Sequence, residues 1–213
     1  MLKKYKLIIA GVVGILIISG IVLGVGMQSN ELKIESIDEF SFTYNDANSK
    51  LANSLHSTGI SMSSAIKLDT ISDIEKYCSF FSNELIQEQV DFCTSTELRD
   101  SEGVFLGNIH MIGSRGMPKM VIAILQTDPF MTELDEIKTV FDVTIENLVC
   151  ECWNEVTPNG LLSVNEWIDK QREFHTSNTK PTSRSNLLLN NINLEIELTT
   201  NFEGYLWKLI IYG

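Results

Sequence analysis

INLEIELTTNFEGYLWKLIIY, residues 192–212, decides the fold class. Ile192, Leu194, Ile196 and Leu198 alternate with Asn193, Glu195, Glu197 and Thr199, the two-residue period of a strand with one buried and one wet face. Turn residues Asn201 to Gly204 send the chain back through a second apolar run, Tyr205 to Tyr212, so the pair reads as an antiparallel hairpin. On this reading Glu195 and Glu197 lie on the solvated face of an outer strand and lack the third carboxylate a cation site would need.

Upstream, Val104–Ile112 and Lys119–Gln126 repeat the hairpin pattern around GSRGMP, residues 113–118. Both runs are apolar on both faces, which places them centrally in a sheet. Thr132 opens a helix whose stripe is Leu134, Ile137, Phe141, Ile145, Leu148 and Cys152. Ser163 and Glu166 form a capping box before a shorter helix carrying Val164, Trp167, Ile168 and Phe174, and residues 176–185 read as a polar surface loop.

Ser72 with Glu75 opens a further expected helix over residues 72–92, with Ile74, Tyr77, Cys78, Phe81 and Leu85 on one stripe. Residues 32–44 alternate imperfectly, as a bulged strand or two short ones, and residues 45–64 read mostly as loop. Hairpins outnumber crossovers, so the expected domain is α+β, a mainly antiparallel sheet with helices packed on one face.

The amino end is of another kind. LIIAGVVGILIISGIVLGVGM, residues 7–27, carries no charge, and as a helix it reaches roughly 31 Å, the thickness of a bilayer core. Lys3, Lys4 and Lys6 precede it, so the positive-inside bias puts residues 1–6 in the cytoplasm and residues 28–213 outside. The alternative is a secreted chain cleaved near Gly26, but the apolar run exceeds the roughly 7–15 residues of a signal peptide's core. The membrane is therefore the first expected partner, through residues 7–27, and a protein partner of the outer domain the second.

The chain has 213 residues and a formal charge of -12. Setting aside the three leading lysines leaves 13 basic against 28 acidic residues, or -15, on the outer part. Such a surface is soluble and excludes a broad nucleic-acid interface. No Asn-x-Ser/Thr sequon is present, which leans towards a prokaryotic envelope.

Cys78, Cys93, Cys150 and Cys152 all follow the anchor, an even number that suits two disulfides in an oxidising compartment. If residues 72–93 are one helix, Cys78 and Cys93 lie about 22 Å apart along it and cannot bond. A Cys150–Cys152 bond closes a very small ring. The expected pairing therefore joins each of Cys78 and Cys93 to one cysteine of the Cys150-Glu151-Cys152 motif, with buried free thiols the next alternative.

Known catalytic signatures are missing: there is no HExxH, GxSxG, GxGxxG, P-loop, EF-hand loop or CxxC. Ser64-Ala-Ile-Lys67 matches SxxK by spacing alone, without the KTG and SDN motifs that accompany it. Two thiolates in Cys150-Glu151-Cys152 suit a soft metal, although none of His56, His110 and His175 stands at ligand spacing from a cysteine. Asn108 and His110 share a strand face and are candidate pocket residues, and Arg115, at the hairpin tip, is a candidate anion ligand. Trp153, Trp167 and Trp207 read as core. No motif specifies a cofactor or small-molecule ligand. The functional expectation is an anchored extracytoplasmic domain that binds or scaffolds, and the second expectation is a redox or metal-handling protein using Cys150 and Cys152.

Overall fold

A computed structural model of the chain describes residues 39–80 and 87–213; the expected tail and anchor, and residues 32–38 of the expected strand, lie outside this range, while residues 39–43 of that strand are irregular and Tyr44 already belongs to a helix. Among the described residues, no helix is long and apolar enough to cross a membrane. The described chain is α+β, with an antiparallel sheet of eight strands and helices packed on it.

In chain order the elements are helix α1 (Tyr44–Ser57), strands β1 (Ser61–Met62) and β2 (Ile66–Leu68), and helix α2 (Ile71–Tyr77). Strands β3 (Phe92–Arg99), β4 (Phe105–Gly113) and β5 (Pro118–Thr127) follow, then helices α3 (Leu134–Leu148), α4 (Trp153–Val156) and α5 (Val164–Thr176). Strands β6 (Thr182–Leu189), β7 (Ile192–Thr200) and β8 (Tyr205–Tyr212) close the chain. Across the sheet the order is β1-β3-β4-β5-β8-β7-β6, with β2 continuing the border beside β3.

Both expected hairpins form: β4 pairs with β5 and β7 with β8, all antiparallel. The two meet in the middle, where β5 pairs with β8 from Met120↔Tyr212 to Thr127↔Tyr205. Glycine is required at two points of this centre. A Cβ on Gly107 would collide with the Ile124 carbonyl oxygen, and one on Gly204 with that of Thr127.

Helices α1, α3 and α5 share one face. Leu51 and Leu55 of α1, Ile137 and Phe141 of α3 and Ile168 of α5 join Leu98, Met111, Ala123, Leu194 and Trp207 of the sheet in one fully buried cluster. Each of the leucine, isoleucine, methionine and phenylalanine side chains contributes about 1.5–3 kcal/mol on burial, so this layer supplies most of the hydrophobic stabilisation. The three tryptophans are core, as their spacing implied, and Trp153 and Trp167 donate their indole N–H groups to Leu161 O and Ser185 Oγ.

Four expectations are corrected. Residues 45–64 are mostly helix rather than loop: Thr43 caps α1 by accepting from the Asp46 N–H, and the buried positions Tyr44, Ala47, Leu51 and Leu55 form a stripe too thin to stand out among Asn, Asp and Ser. The long helix over residues 72–92 does not form. Its cap is Thr70 with Asp73, not Ser72 with Glu75; α2 ends at Tyr77, and the chain is already extended in β3 by Phe92. The polar loop of residues 176–185 gives way at Thr182 to β6, which turns into β7 through Asn190 and Asn191, both at positive φ (52° and 63°), as a two-residue hairpin requires. Finally, α2 lies on the sheet face opposite the other helices, where Ile74 packs on Ile112, Met120 and Ile122.

Candidate functional site

The face that α1, α3 and α5 leave uncovered is ordered in rows by the strand register. One row runs Ser95, His110, Ile122, Ile210, Glu195, Asn186; the row beside it runs Glu97, Asn108, Ile124, Lys208, Glu197, Arg184. The polar candidates thus fall at the two ends of an isoleucine strip. At about 4.8 Å per strand, His110 and Glu195 stand roughly 14 Å apart, too far to act on one small ligand.

Cys78, Cys93 and His110 meet at the first end. Cys78 follows directly on α2, and Cys93 is the second residue of β3. His110 lies diagonally across from Cys93, because Cys93 pairs with Ile112 and Ser95 with His110. Cys78 and Cys93 form a disulfide with their Cα atoms 6.5 Å apart, and both are completely buried. The two sulfurs and a ring nitrogen of His110 all lie within 4.8 Å of one another. Phe80 packs on the imidazole, with ring centroids 5.0 Å apart. His110 Nδ1 is buried and has no hydrogen-bond partner. Burial pushes the His110 pKa down to about 4, which keeps the ring neutral near pH 7. An unprotonated imidazole beside two sulfurs suits a thiophilic cation or thiol–disulfide exchange.

The second disulfide joins Cys150 and Cys152, with Cα atoms 5.1 Å apart. The small ring told against this second bond, and the long-helix reading excluded the first. That exclusion fails because the chain reverses between α2 and β3, so a separation of 15 residues does not become 22 Å of helix axis. Nor does Cys152 lie on the stripe of α3, which ends at Leu148; it caps the one-turn helix α4. Among the described residues no third donor from His, Asp or Glu gathers at Cys150 and Cys152.

The remaining candidates disperse. Asn108 donates from its amide to Thr96 O at 3.2 Å, a bond to the neighbouring strand. Arg115 is exposed at the β4–β5 tip and, with Asp69, Glu75, Glu88 and Asp91, lines an open cleft of about 680 Å³. Ile74 and Val90, which pack in the same cluster as the Cys78–Cys93 bond, line this cleft too. Ser64 and Lys67 are exposed on the β1–β2 connector and on β2, not one helical turn apart.

Glu195 and Glu197 are 1% and 6% exposed, against the wet face expected for them. The expectation fails because β7 is not an outer strand: β6 flanks it and brings in Arg184. Arg184 donates to Glu197 Oε2 at 2.5 Å, and Lys208 to Oε1 at 2.7 Å. Burial alone would raise the Glu197 carboxyl, but Lys208 and Arg184 outweigh it and hold it below the usual range. Glu195 is pushed up by burial, helped by the like charge of Glu197. His175 was also illegible as a core residue: its ring nitrogens sit 2.8 Å from Ser183 Oγ and Thr200 Oγ1, tying α5 to β6 and β7.

The described chain is a disulfide-bonded α+β domain with one sheet face covered by α1, α3 and α5 and the other carrying α2 and polar groups at both ends of its isoleucine strip. Compared with protein-family models, with curated proteins and with solved structures, the chain matches none.

Proposed function

We propose that the protein is a single-pass, membrane-anchored extracytoplasmic binding module, with residues 1–6 in the cytoplasm, residues 7–27 as the anchor and residues 28–213 as the outer domain that holds a protein partner in a membrane or envelope assembly. The observation that carries the compartment is that all four cysteines are paired, a state at home where thiols are oxidised. The uncharged segment of residues 7–27 behind three lysines supports the anchor and its direction. The absence of catalytic signatures from the sequence favours binding over catalysis.

Two measurements on the full chain test this. In intact cells of an exporting host, an external protease should digest the outer domain, and a thiol reagent applied after denaturation should label no cysteine until a reductant is added. A protected domain with four free thiols would overturn the placement. Gentle detergent extraction of the native membrane should yield the chain in a complex of defined larger mass, and a strictly monomeric chain would overturn the binding role.

A further inference from the structure

We propose that Cys78, Cys93 and His110 are a latent metal site: two-electron reduction of the disulfide by a dithiol opens a Cys₂His pocket that takes one thiophilic cation, with Zn²⁺ the best match, and leaves the fourth position to water. The inference goes beyond the binding role and does not depend on the anchor.

Three observations carry it. The donor atoms already converge, all within 4.8 Å. Around a tetrahedral Zn²⁺ with bonds of about 2.3 Å to sulfur and 2.0 Å to nitrogen, ligand atoms lie roughly 3.5–3.8 Å apart, so the geometry is reached by parting the sulfurs by less than about 2 Å and drawing the imidazole nitrogen in by no more than roughly 1.3 Å. The ligands also sit on supports that hold them, since Cys93 and His110 lie on two neighbouring hydrogen-bonded strands and Phe80 packs at a tilt against the imidazole. Finally, His110 Nδ1 is a buried polar atom with no partner, although the large majority of buried side-chain polar atoms are satisfied. Ile74 and Val90, which share the hydrophobic cluster of the two cysteines, also line the Arg115 cleft, so only these side chains need to shift for a dithiol and a cation to reach the sulfurs from that side.

The chemistry balances. The dithiol gives two electrons and two protons, the Cys78–Cys93 bond breaks to two thiols, and the reductant closes to its own disulfide. Zn²⁺ then displaces both thiol protons to solvent while His110 enters neutral. Exchange with a small-molecule disulfide, which takes the two electrons and is reduced to its dithiol, re-forms the Cys78–Cys93 bond and releases the ion.

The test uses the full chain in detergent with Cys150→Ser and Cys152→Ser, so that only the proposed thiols remain. After anaerobic reduction and removal of the reductant, Zn²⁺ titrated against a chromophoric chelator should bind at one equivalent and protect both thiols from alkylation. Co²⁺ in its place should give sulfur-to-metal charge-transfer absorption. His110→Phe keeps the ring packing on Phe80 and the oxidised fold, and should weaken Zn²⁺ binding at least tenfold. Absence of stoichiometric binding overturns the proposal. So does binding that His110→Phe leaves unchanged, and so does a reduced chain that unfolds and does not refold when Zn²⁺ is added.

Discussion

The two disulfides differ in almost everything except chemistry. Cys78–Cys93 is fully buried, spans 15 residues, joins the end of a short helix to the sheet and has an imidazole beside it. Cys150–Cys152 is half-buried, spans two residues and joins the chain to itself just after α3. One constrains tertiary structure; the other shapes a local turn. Position in the fold, and not the presence of a bond, decides what a cysteine pair does.

The largest expected effect is on stability. Closing a loop of about 15 residues removes roughly 3 kcal/mol of unfolded-chain entropy, while a loop of two or three removes about 1.5 kcal/mol. Replacing Cys78 and Cys93 by serine also buries two hydroxyls in an apolar cluster, so that double variant should lose at least about 3 kcal/mol. Cys150→Ser with Cys152→Ser should lose no more than half of that. Denaturant midpoints of the two variants would break the contrast if the order were reversed.

Acid sharpens it. Because His110 has a lower pKa folded than unfolded, the unfolded chain takes up a proton between about pH 6.5 and 4 that the native state refuses, and stability falls as pH drops through that window. The loss should be about 2 kcal/mol, given partial exposure and about 1.4 kcal/mol for each tenfold difference in proton affinity between the folded and unfolded chain. It should be missing from His110→Phe in parallel melts at pH 7 and pH 4.5, whereas the Cys150–Cys152 variant should keep it.

The smallest effects lie at the other end of the row. Glu197→Gln leaves Arg184 and Lys208 without their shared partner and should cost about 1–2 kcal/mol, both cations being partly exposed. Glu195→Gln removes a carboxylate that burial already disfavours, so its unfolding free energy should move by no more than about 0.5 kcal/mol. Equal losses in the two variants would show that Glu195, too, is held as a needed ion.

Strongly patterned segments were legible in the sequence. Strand β7 and the helices α3 and α5 carry apolar residues at an unmistakable period, the hairpin β4–β5 shows as two apolar runs around a glycine- and proline-bearing turn, and Ser163 caps α5 as its box implies. Of the longer elements, three escaped for one reason: their buried positions are few or polar. Thr94 and Thr96 of β3 are buried threonines, α1 has one buried residue per turn, and β6 hides Ser183 among exposed Arg184 and Asn186. These misses propagate. Without β3 the periodicity suggests a helix that keeps Cys78 from Cys93, and without β6 a buried charge cluster looks like a wet face. His110 stands out in the sequence, yet not as a neighbour of cysteines 17 and 32 residues upstream, because only strand register brings them together.

The sheet also ends unequally. On one side its border is broken into β1 and β2, two and three residues long; on the other it is β6, eight residues long. Growth of a fibril by strand addition needs a continuous ladder of free backbone groups at both borders of every unit. Among the described residues only β6 offers one. Two copies joined there across a two-fold axis would have used it up, so the interrupted β1–β2 border works as a stop against propagation.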